Sequence, residues 1–332
     1  MSDRVSRLGR AVMALVGIIV AAAVGWLLFV RLPTDFADLL GIVLAIGLAI
    51  LGARLAGRLA GNVFPTFNVA EVAVTGPITR SGRGPLPTSP VGTPADRIVE
   101  QIEAADEDKN AKALLLRLNT PGGEVVPSDD IRRAAAEFDG PTIAYATDLC
   151  ASGGYWIASG CDELWARDAS LVGSIGVRSA LFNATDLADK LGIDYEGFSK
   201  GKYKDAGTPL KEMTEDDRDY FRGLSEGFYD HFVQTVAEGF DLDEERVRET
   251  EARVYLGEKA ADIGLVDALG AKDDVKQALE EELGEPVSVE EFQPRLGLAD
   301  RLRGTAQTMA RSFGEGVASV MVGDDDRPID LR

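Results

Sequence analysis

The sequence predicts an α/β fold with a largely parallel sheet, preceded by one or two transmembrane helices. Short apolar, strand-like runs alternate with amphipathic helical stretches between about residues 69 and 166, as in chains of strand–helix–strand units. An uncharged run at 11–30 stands ahead of the first strand. The 332 residues therefore divide into a membrane anchor at 1–60, one domain at 66–284 and a variable C-terminal tail at 285–332.

The N-terminal apolar runs are predicted to cross a membrane. Residues 11–30 are twenty residues without a charge, and at about 1.5 Å per residue they are long enough to span the hydrocarbon core. A second run at about 36–53 is shorter and carries Asp38. A cleaved signal peptide is the rival interpretation, but the first run exceeds a typical signal-peptide apolar region and a second follows at once. Two spans would place the following domain in the cytoplasm and one span would place it outside, so the face stays open.

The first half of the domain is predicted to alternate between strands and helices. Gly and Pro punctuate it, since these residues mark turns and helix boundaries. The predicted elements are strand 69–75, loop 80–93, a helix from about Pro94 capped by Thr93, strand 113–118, turn 119–123, helix 128–138, strand 142–146, a Gly/Ser-rich stretch at 151–160 and strand 163–166.

A long amphipathic helix is predicted over 214–249. Apolar residues recur on it at helical spacing, which is typical of a face packed into a core. They are Phe221, Leu224, Phe228, Phe232 and Val236.

Charge restricts the possible partners. The chain has 55 acidic and 35 basic residues and a formal net charge of -20, so it should repel nucleic acid. Only ten of the basic residues are lysines. An acid-rich, lysine-poor surface suits a salt-rich medium that screens like-charge repulsion, which suggests a halophilic source.

Cysteine and histidine are too scarce for most metal sites. Cys150 and Cys161 are the two cysteines and His231 is the one histidine. They supply neither a disulfide framework nor a four-ligand zinc site. No metal or cofactor is expected. A Ser-His-Asp triad would need His231, and the place of that residue on the amphipathic helix favours a packing or surface role.

A candidate nucleophile lies in the motif ASGG at 151–154. Ser152 stands between a predicted strand and a predicted helix start. The glycines allow close approach of a substrate, and the first N–H groups of a helix can stabilise an oxyanion. Taken alone, a serine beside two glycines is more often a turn or a tight packing contact.

A second glycine pair, Gly122-Gly123, follows the buried strand at 113–118. Ligands bind at the carboxyl ends of parallel strands. The N–H of Gly123 could therefore complete an oxyanion hole with the N–H of Gly153. An ordinary strand-ending turn is the alternative.

Four of the ten lysines fall within twelve residues, at Lys200, Lys202, Lys204 and Lys211. Such a run usually forms a solvated charge patch. A serine nucleophile needs a base, however, and a lysine can act as one when burial lowers its pKa toward neutrality.

Together and in this order, these motifs resemble the signal peptide peptidase A family, in its half-length archaeal and bacterial form. The resemblance runs from about Val69 to Gly270. It is carried by VAVTGPI, LLLRLNTPGGEV, ASGGYWIAS, LVGSIGV, SGKYKDAGTP and ARVYLGEKAADIGLVDALG.

The resemblance implies a crotonase/Clp-like fold and a Ser-Lys peptidase that degrades remnant signal peptides and other unstructured peptides at the cell membrane. It implies Ser152 as nucleophile, Lys204 as base with Lys200 and Lys202 as fallbacks, and oxyanion donors at Gly123 and Gly153. It also implies a ring-like homo-oligomer in which the lysine can serve a neighbouring subunit. Many relatives have one membrane span, whereas two are predicted here. A crotonase-like CoA-thioester enzyme and a non-catalytic membrane scaffold are the competing hypotheses.

Overall fold

The structure is a computed structural model that describes residues 2–29, 44, 46–56, 67–80, 92 and 94–292. Helix α1 covers Ser2–Phe29, and helix α2 covers residues 46–56. No helix in these ranges is both long and apolar enough to cross a membrane. The predicted span at 36–53 lies partly outside the described residues, and both spans stay predictions.

Within the described residues, eight strands form one sheet in the order β6-β5-β3-β2-β1-β8, with β4 beside β3 and β7 beside β4. Every pairing is parallel except β5 with β6. The predicted α/β class and largely parallel sheet are confirmed. The strands are β1 Val69–Thr75, β2 Ala113–Thr120, β3 Thr142–Ala151, β4 Glu163–Ala166, β5 Leu171–Gly173, β6 Val254–Leu256, β7 Ala268–Leu269 and β8 Val289–Glu291.

Helices cover both faces of this sheet. They are α3 Ala95–Asp106, α4 Val125–Ala136, α5 Gly153–Ala158, α6 Thr185–Leu191, α7 Glu215–Gly239, α8 Glu244–Arg248, α9 Gly257–Asp262 and α10 Lys272–Leu283. Along β2, Leu114, Leu116 and Leu118 join the core beneath α3, α4 and α5, while Leu115 faces Leu279 of α10. Because β2 is buried on both faces, its successive side chains are apolar, which explains the sequence ALLLRL.

Three elements next to the candidate site differ from their predicted bounds. Strand β2 runs to Thr120 rather than to residue 118. Strand β3 continues beyond residue 146 to Ala151, because Leu149–Ala151 pair with Leu171–Gly173 of β5. Helix α4 starts at Val125 rather than at residue 128, since a proline such as Pro127 is tolerated in the first turn of a helix. Strand β3 therefore ends at Ala151, directly before Ser152.

The predicted helix 214–249 is wrong in its second part, because α7 ends at Gly239. Asp241 has a φ of 50°, and the Asp243 carboxylate caps the separate helix α8 by accepting from the Glu245 N–H at 2.9 Å. The apolar stripe belongs to the core only in its C-terminal half. Phe232 packs on Trp156 with ring centroids 4.7 Å apart, whereas Phe228 is 45% exposed.

The last strand of the sheet comes from the predicted C-terminal tail, 285–332. Strand β8, Val289–Glu291, pairs in parallel with the start of β1. Residues 293–332 of the predicted tail lie outside the described residues, and the domain boundaries stay predictions.

Candidate active site

Ser152 occupies a strained turn between β3 and α5. Its backbone has φ 54° and ψ −120°, a conformation that costs energy in a non-glycine residue and is concentrated at functional sites. Its N–H donates to the Gly173 carbonyl at 2.9 Å, and its carbonyl accepts from the Trp156 N–H at 3.0 Å. The turn is thus held on both sides, and the serine side chain is left half-buried. A strained strand-to-helix turn of this kind resembles the nucleophile elbow of α/β-hydrolases.

The turn after β2 packs directly against Ser152. Gly122 has a φ of +89°, and a Cβ placed on it would lie 2.9 Å from the Ser152 Cβ and 2.8 Å from the Ala151 carbonyl oxygen. Only glycine fits this position. The turn is anchored by Ile78, whose N–H donates to the Gly122 carbonyl at 3.0 Å and whose carbonyl accepts from the Glu124 N–H at 2.9 Å.

Two backbone donors come together beside the serine. The Gly123 nitrogen lies 3.1 Å from the position that a Cβ on Gly153 would take. Gly153 is the first residue of α5, and Gly123 stands two residues ahead of α4. Within the described residues neither N–H donates a backbone or side-chain hydrogen bond. The structure therefore brings Gly123, Ser152 and Gly153 together, with two donors available to a developing oxyanion.

The lysine cluster lies outside this arrangement. Lys204 is exposed, and in the described part of the chain no hydrogen bond or ion pair involves its side chain or joins it to Ser152. Lys200 is also exposed.

The other two lysines of the cluster are paired with carboxylates. Lys202 forms an ion pair with Asp216 at 2.6 Å, and the hydrogen bond between them raises the pKa of Lys202. Lys211 pairs with Asp205 at 3.0 Å, with the same effect on its pKa. Because a lysine base must lose its proton, these pairs argue against Lys202 and Lys211.

The histidine and the two cysteines occupy packing positions. His231 is exposed and its ring packs edge-on against Trp156, with centroids 5.2 Å apart. Cys150 and Cys161 are free and buried. Burial raises the pKa of Cys161 to about 12 and that of Cys150 further, so both thiols stay protonated and unreactive.

Sequence reasoning missed the polar groups that support this site. Ser128 and Asp129 of α4 both meet the glycine-rich start of α5: the Ser128 hydroxyl lies beside Gly153, and the Asp129 carboxylate accepts from the Trp156 indole N–H at 3.1 Å. Their position in the first helix after the glycine turn was the available signal.

Comparisons with known proteins identify related peptidases. The model of peptidase family S49 matches residues 135–285. A Methanocaldococcus jannaschii protein named as a protease is 33% identical over 232 residues, which cover 68% of this chain and 73% of the relative. An Enterococcus faecium protein named as a signal peptide peptidase is 33% identical over 186 residues, covering 55% of this chain and 54% of the relative.

A plant protein matches more of this chain. The chloroplastic serine protease SPPA of Arabidopsis thaliana is 30% identical over 251 residues, which cover 73% of this chain and 37% of that protein. The relatives support a serine peptidase activity, and the chain belongs to peptidase family S49.

Proposed function

We propose that this chain is a membrane-bound serine endopeptidase that cleaves unstructured peptides, remnant signal peptides among them, through an acyl-enzyme on Ser152. The observation that carries the proposal is the strained Ser152 turn with the backbone donors of Gly123 and Gly153 beside it. A nucleophile presented against preorganised N–H groups is the arrangement that acyl transfer requires.

In the proposed mechanism the Ser152 hydroxyl oxygen bonds to the scissile carbonyl carbon while a neutral lysine amine takes its proton. The carbonyl electron pair moves onto the oxygen, which the Gly123 and Gly153 N–H groups stabilise. The C–N bond then breaks, and the lysine gives its proton to the leaving amine. Water attacks the ester with the same lysine as base, which releases a carboxylic acid product and restores the serine hydroxyl.

We propose Lys204 as this base, supplied to the Ser152 of a neighbouring subunit in a ring-like homo-oligomer. Lys204 has no acidic partner among the described residues, unlike Lys202 and Lys211. Large apolar side chains in the same part of the chain are exposed in the single subunit, Phe182 by 73% and Phe198 by 95%. Covering such a surface in an assembly would desolvate the lysine, and desolvation favours the neutral amine that a base requires.

The membrane location is proposed from the N-terminal helices. Gly17 of α1 packs against Ala56, and Gly52 of α2 packs reciprocally against Ala21. Small residues at this spacing allow close helix packing within membranes. Large apolar side chains of α1 such as Trp26 are more than half exposed. Protease protection of the catalytic domain in sealed vesicles would decide which face it occupies.

Cleavage of a leucine-rich signal peptide tests the proposal against a CoA-thioester enzyme and a non-catalytic scaffold. We expect Ser152→Ala and Lys204→Ala each to lower kcat/KM by about 1,000-fold or more. The matched control Lys200→Ala, in the same exposed segment, should keep its activity. Full activity in Ser152→Ala would refute the nucleophile assignment.

Mixing two inactive variants tests whether Lys204 acts on the Ser152 of a neighbouring subunit. If Lys204 serves a neighbour's Ser152, co-assembled Ser152→Ala and Lys204→Ala subunits should regain part of the wild-type activity. If both residues come from one subunit, the mixture should stay inactive. For wild type, kcat/KM should rise with pH, because only the neutral amine is a base.

A further inference from the structure

We propose that the hydrogen bond between Asp129 and Trp156 fixes the spacing of the two oxyanion donors, which makes both side chains positioning residues for peptide cleavage. The inference rests on the proposed function, since it concerns the same N–H groups. It follows from where the two donors are attached to the fold.

The donors belong to two different helices. Gly123 leads into α4, which carries Asp129, and Gly153 opens α5, which carries Trp156. The two segments lie on successive units of the sheet, after β2 and after β3 respectively. A shift of α4 against α5 that carries the Gly123 turn with it would change the distance between the donors, and a catalytic group displaced by about 1 Å can lose about 100-fold in rate.

The Asp129–Trp156 bond resists separation of these helices. The indole N–H of Trp156 donates to Oδ1 of Asp129 at 3.1 Å, and Trp156 is 2% exposed. Asp129 also accepts from Arg132 at 2.9 Å on the same oxygen and from Arg133 at 2.7 Å on Oδ2. Burial alone would raise the pKa of Asp129, but these three donors outweigh it and hold the pKa below its ordinary value. The acceptor is therefore a carboxylate at neutral pH, and bonds to a charged acceptor are the stronger ones.

Ser128 prevents α4 and α5 from coming closer together. It is fully buried, its hydroxyl donates to the Glu124 carbonyl at 2.8 Å, and its Oγ lies 2.5 Å from the position that a Cβ on Gly153 would take. The hydroxyl is thus held against the Cα of Gly153. Ser128 sets how close the helices come, and the Asp129–Trp156 bond prevents them from moving apart.

Tyr155 provides a matched control on the same helix. Its buried hydroxyl donates to the Leu265 carbonyl at 2.8 Å, so it ties α5 to the segment before β7 and not to α4. Tyr155→Phe and Trp156→Phe each remove one buried hydrogen bond of α5. Only the second removes the link between the two donors.

The experiment compares Trp156→Phe, Asp129→Ala, Asp129→Asn and Tyr155→Phe in the full chain. The readouts are kcat and KM for a peptide substrate, the inhibition constant of a peptide boronate and the melting temperature. The boronate forms a tetrahedral adduct on the serine and so reports transition-state binding. Asp129→Asn keeps an oxygen for the Trp156 N–H, and the side chain of Arg133, 65% exposed, can move away from the new amide.

We expect Trp156→Phe and Asp129→Ala to lower kcat and to weaken boronate binding by about 10-fold or more, with KM little changed. Asp129→Asn should stay within about 3-fold of wild type, since the bond to Trp156 is kept. Tyr155→Phe should lower the melting temperature without changing kcat. If Asp129→Ala does not fold, the comparison of kcat and boronate affinity between Trp156→Phe and Tyr155→Phe tests the positioning role.

Two results would overturn the inference, and they are distinguishable. Ser152-dependent cleavage in which Trp156→Phe has wild-type kcat and boronate affinity leaves the proposed function intact and assigns the bond to stability alone. Absence of Ser152-dependent cleavage in wild type removes the proposed function, and the positioning role with it.

Discussion

Three glycines surround Ser152, and each is required for a different steric reason. Gly122 has a positive φ. A Cβ on Gly123 would overlap the carbonyl of Ile78, and one on Gly153 would meet the Ser128 hydroxyl. The tightest limit is at Gly123, because a backbone carbonyl held by a hydrogen bond cannot move aside as a side chain can.

Gly123→Ala should therefore destabilise the protein by about 1 to 3 kcal/mol, the usual cost of overpacking, and should lower kcat by displacing an oxyanion donor. Gly227→Ala, within α7, is the control, because apart from its own helix backbone and chain neighbours no described atom lies within 4 Å of its Cβ position. That change should stabilise the helix by about 0.5 to 1 kcal/mol. Denaturant unfolding measures both, and wild-type stability in Gly123→Ala would contradict the close packing of Gly123 against the Ile78 carbonyl.

The sequence predicts the position of Ser152 beside the glycines, but the other neighbours of this serine only in part. The carboxyl ends of neighbouring parallel strands meet at one edge, so Gly123, Ser152 and Gly153 were expected together. Only the family resemblance points to Lys204, since no spacing rule separates it from Lys200. The Asp129–Trp156 bond depends on how α4 packs against α5, which local sequence patterns do not encode.

At the scale of the element, a buried carboxylate ties several parts of the sheet together. Glu71 of β1 has a side chain that is 3% exposed and accepts from Arg117 of β2 at 2.6 Å and from Lys272 of α10. Arg117 reaches Glu291 of β8 at 3.4 Å. Burial alone would raise the pKa of Glu71, but hydrogen bonds from Lys272 and Arg117 outweigh it and leave the pKa lowered.

A lowered pKa in the folded state stabilises the protein above the unfolded pKa, and this contribution is lost as pH falls through the folded pKa. Glu71→Gln should therefore be less stable than wild type at pH 7, by about 1 to 3 kcal/mol for a charged hydrogen-bonded group. The difference should shrink below about pH 4.5, the ordinary value for the group. Unfolding free energies of wild type and Glu71→Gln at about pH 7 and about pH 3.5 test this. If the two proteins differ by the same amount at both pH values, ionisation of Glu71 does not contribute to stability.

Element boundaries were predictable where local pattern decides them. Strands β1 and β4 begin and end where the alternation and apolar runs indicate. Strand β3 is longer than its pattern because β5 pairs with its end. Strands of two or three residues, such as β7, carry too little periodicity to be recognised.

At the scale of the whole molecule, acidic surface charge dominates. With a net charge of -20, like charges repel in the folded state, and salt at molar concentration reduces the screening length to about 3 Å. We expect the thermal unfolding midpoint to rise between low and molar KCl, as for a halophilic protein. Equal midpoints in both conditions would remove the halophilic hypothesis.

Covalent labelling tests whether Ser152 is the nucleophile. Wild-type protein is treated with a fluorophosphonate, which phosphonylates activated serine hydroxyls, and the modified peptide is located by mass spectrometry. We expect a single adduct on Ser152, no adduct in Ser152→Ala and slow labelling in Lys204→Ala, with the buried Ser128 unmodified. Failure of Ser152 to react, or equal labelling of the Ser152→Ala variant, would contradict its assignment as the nucleophile.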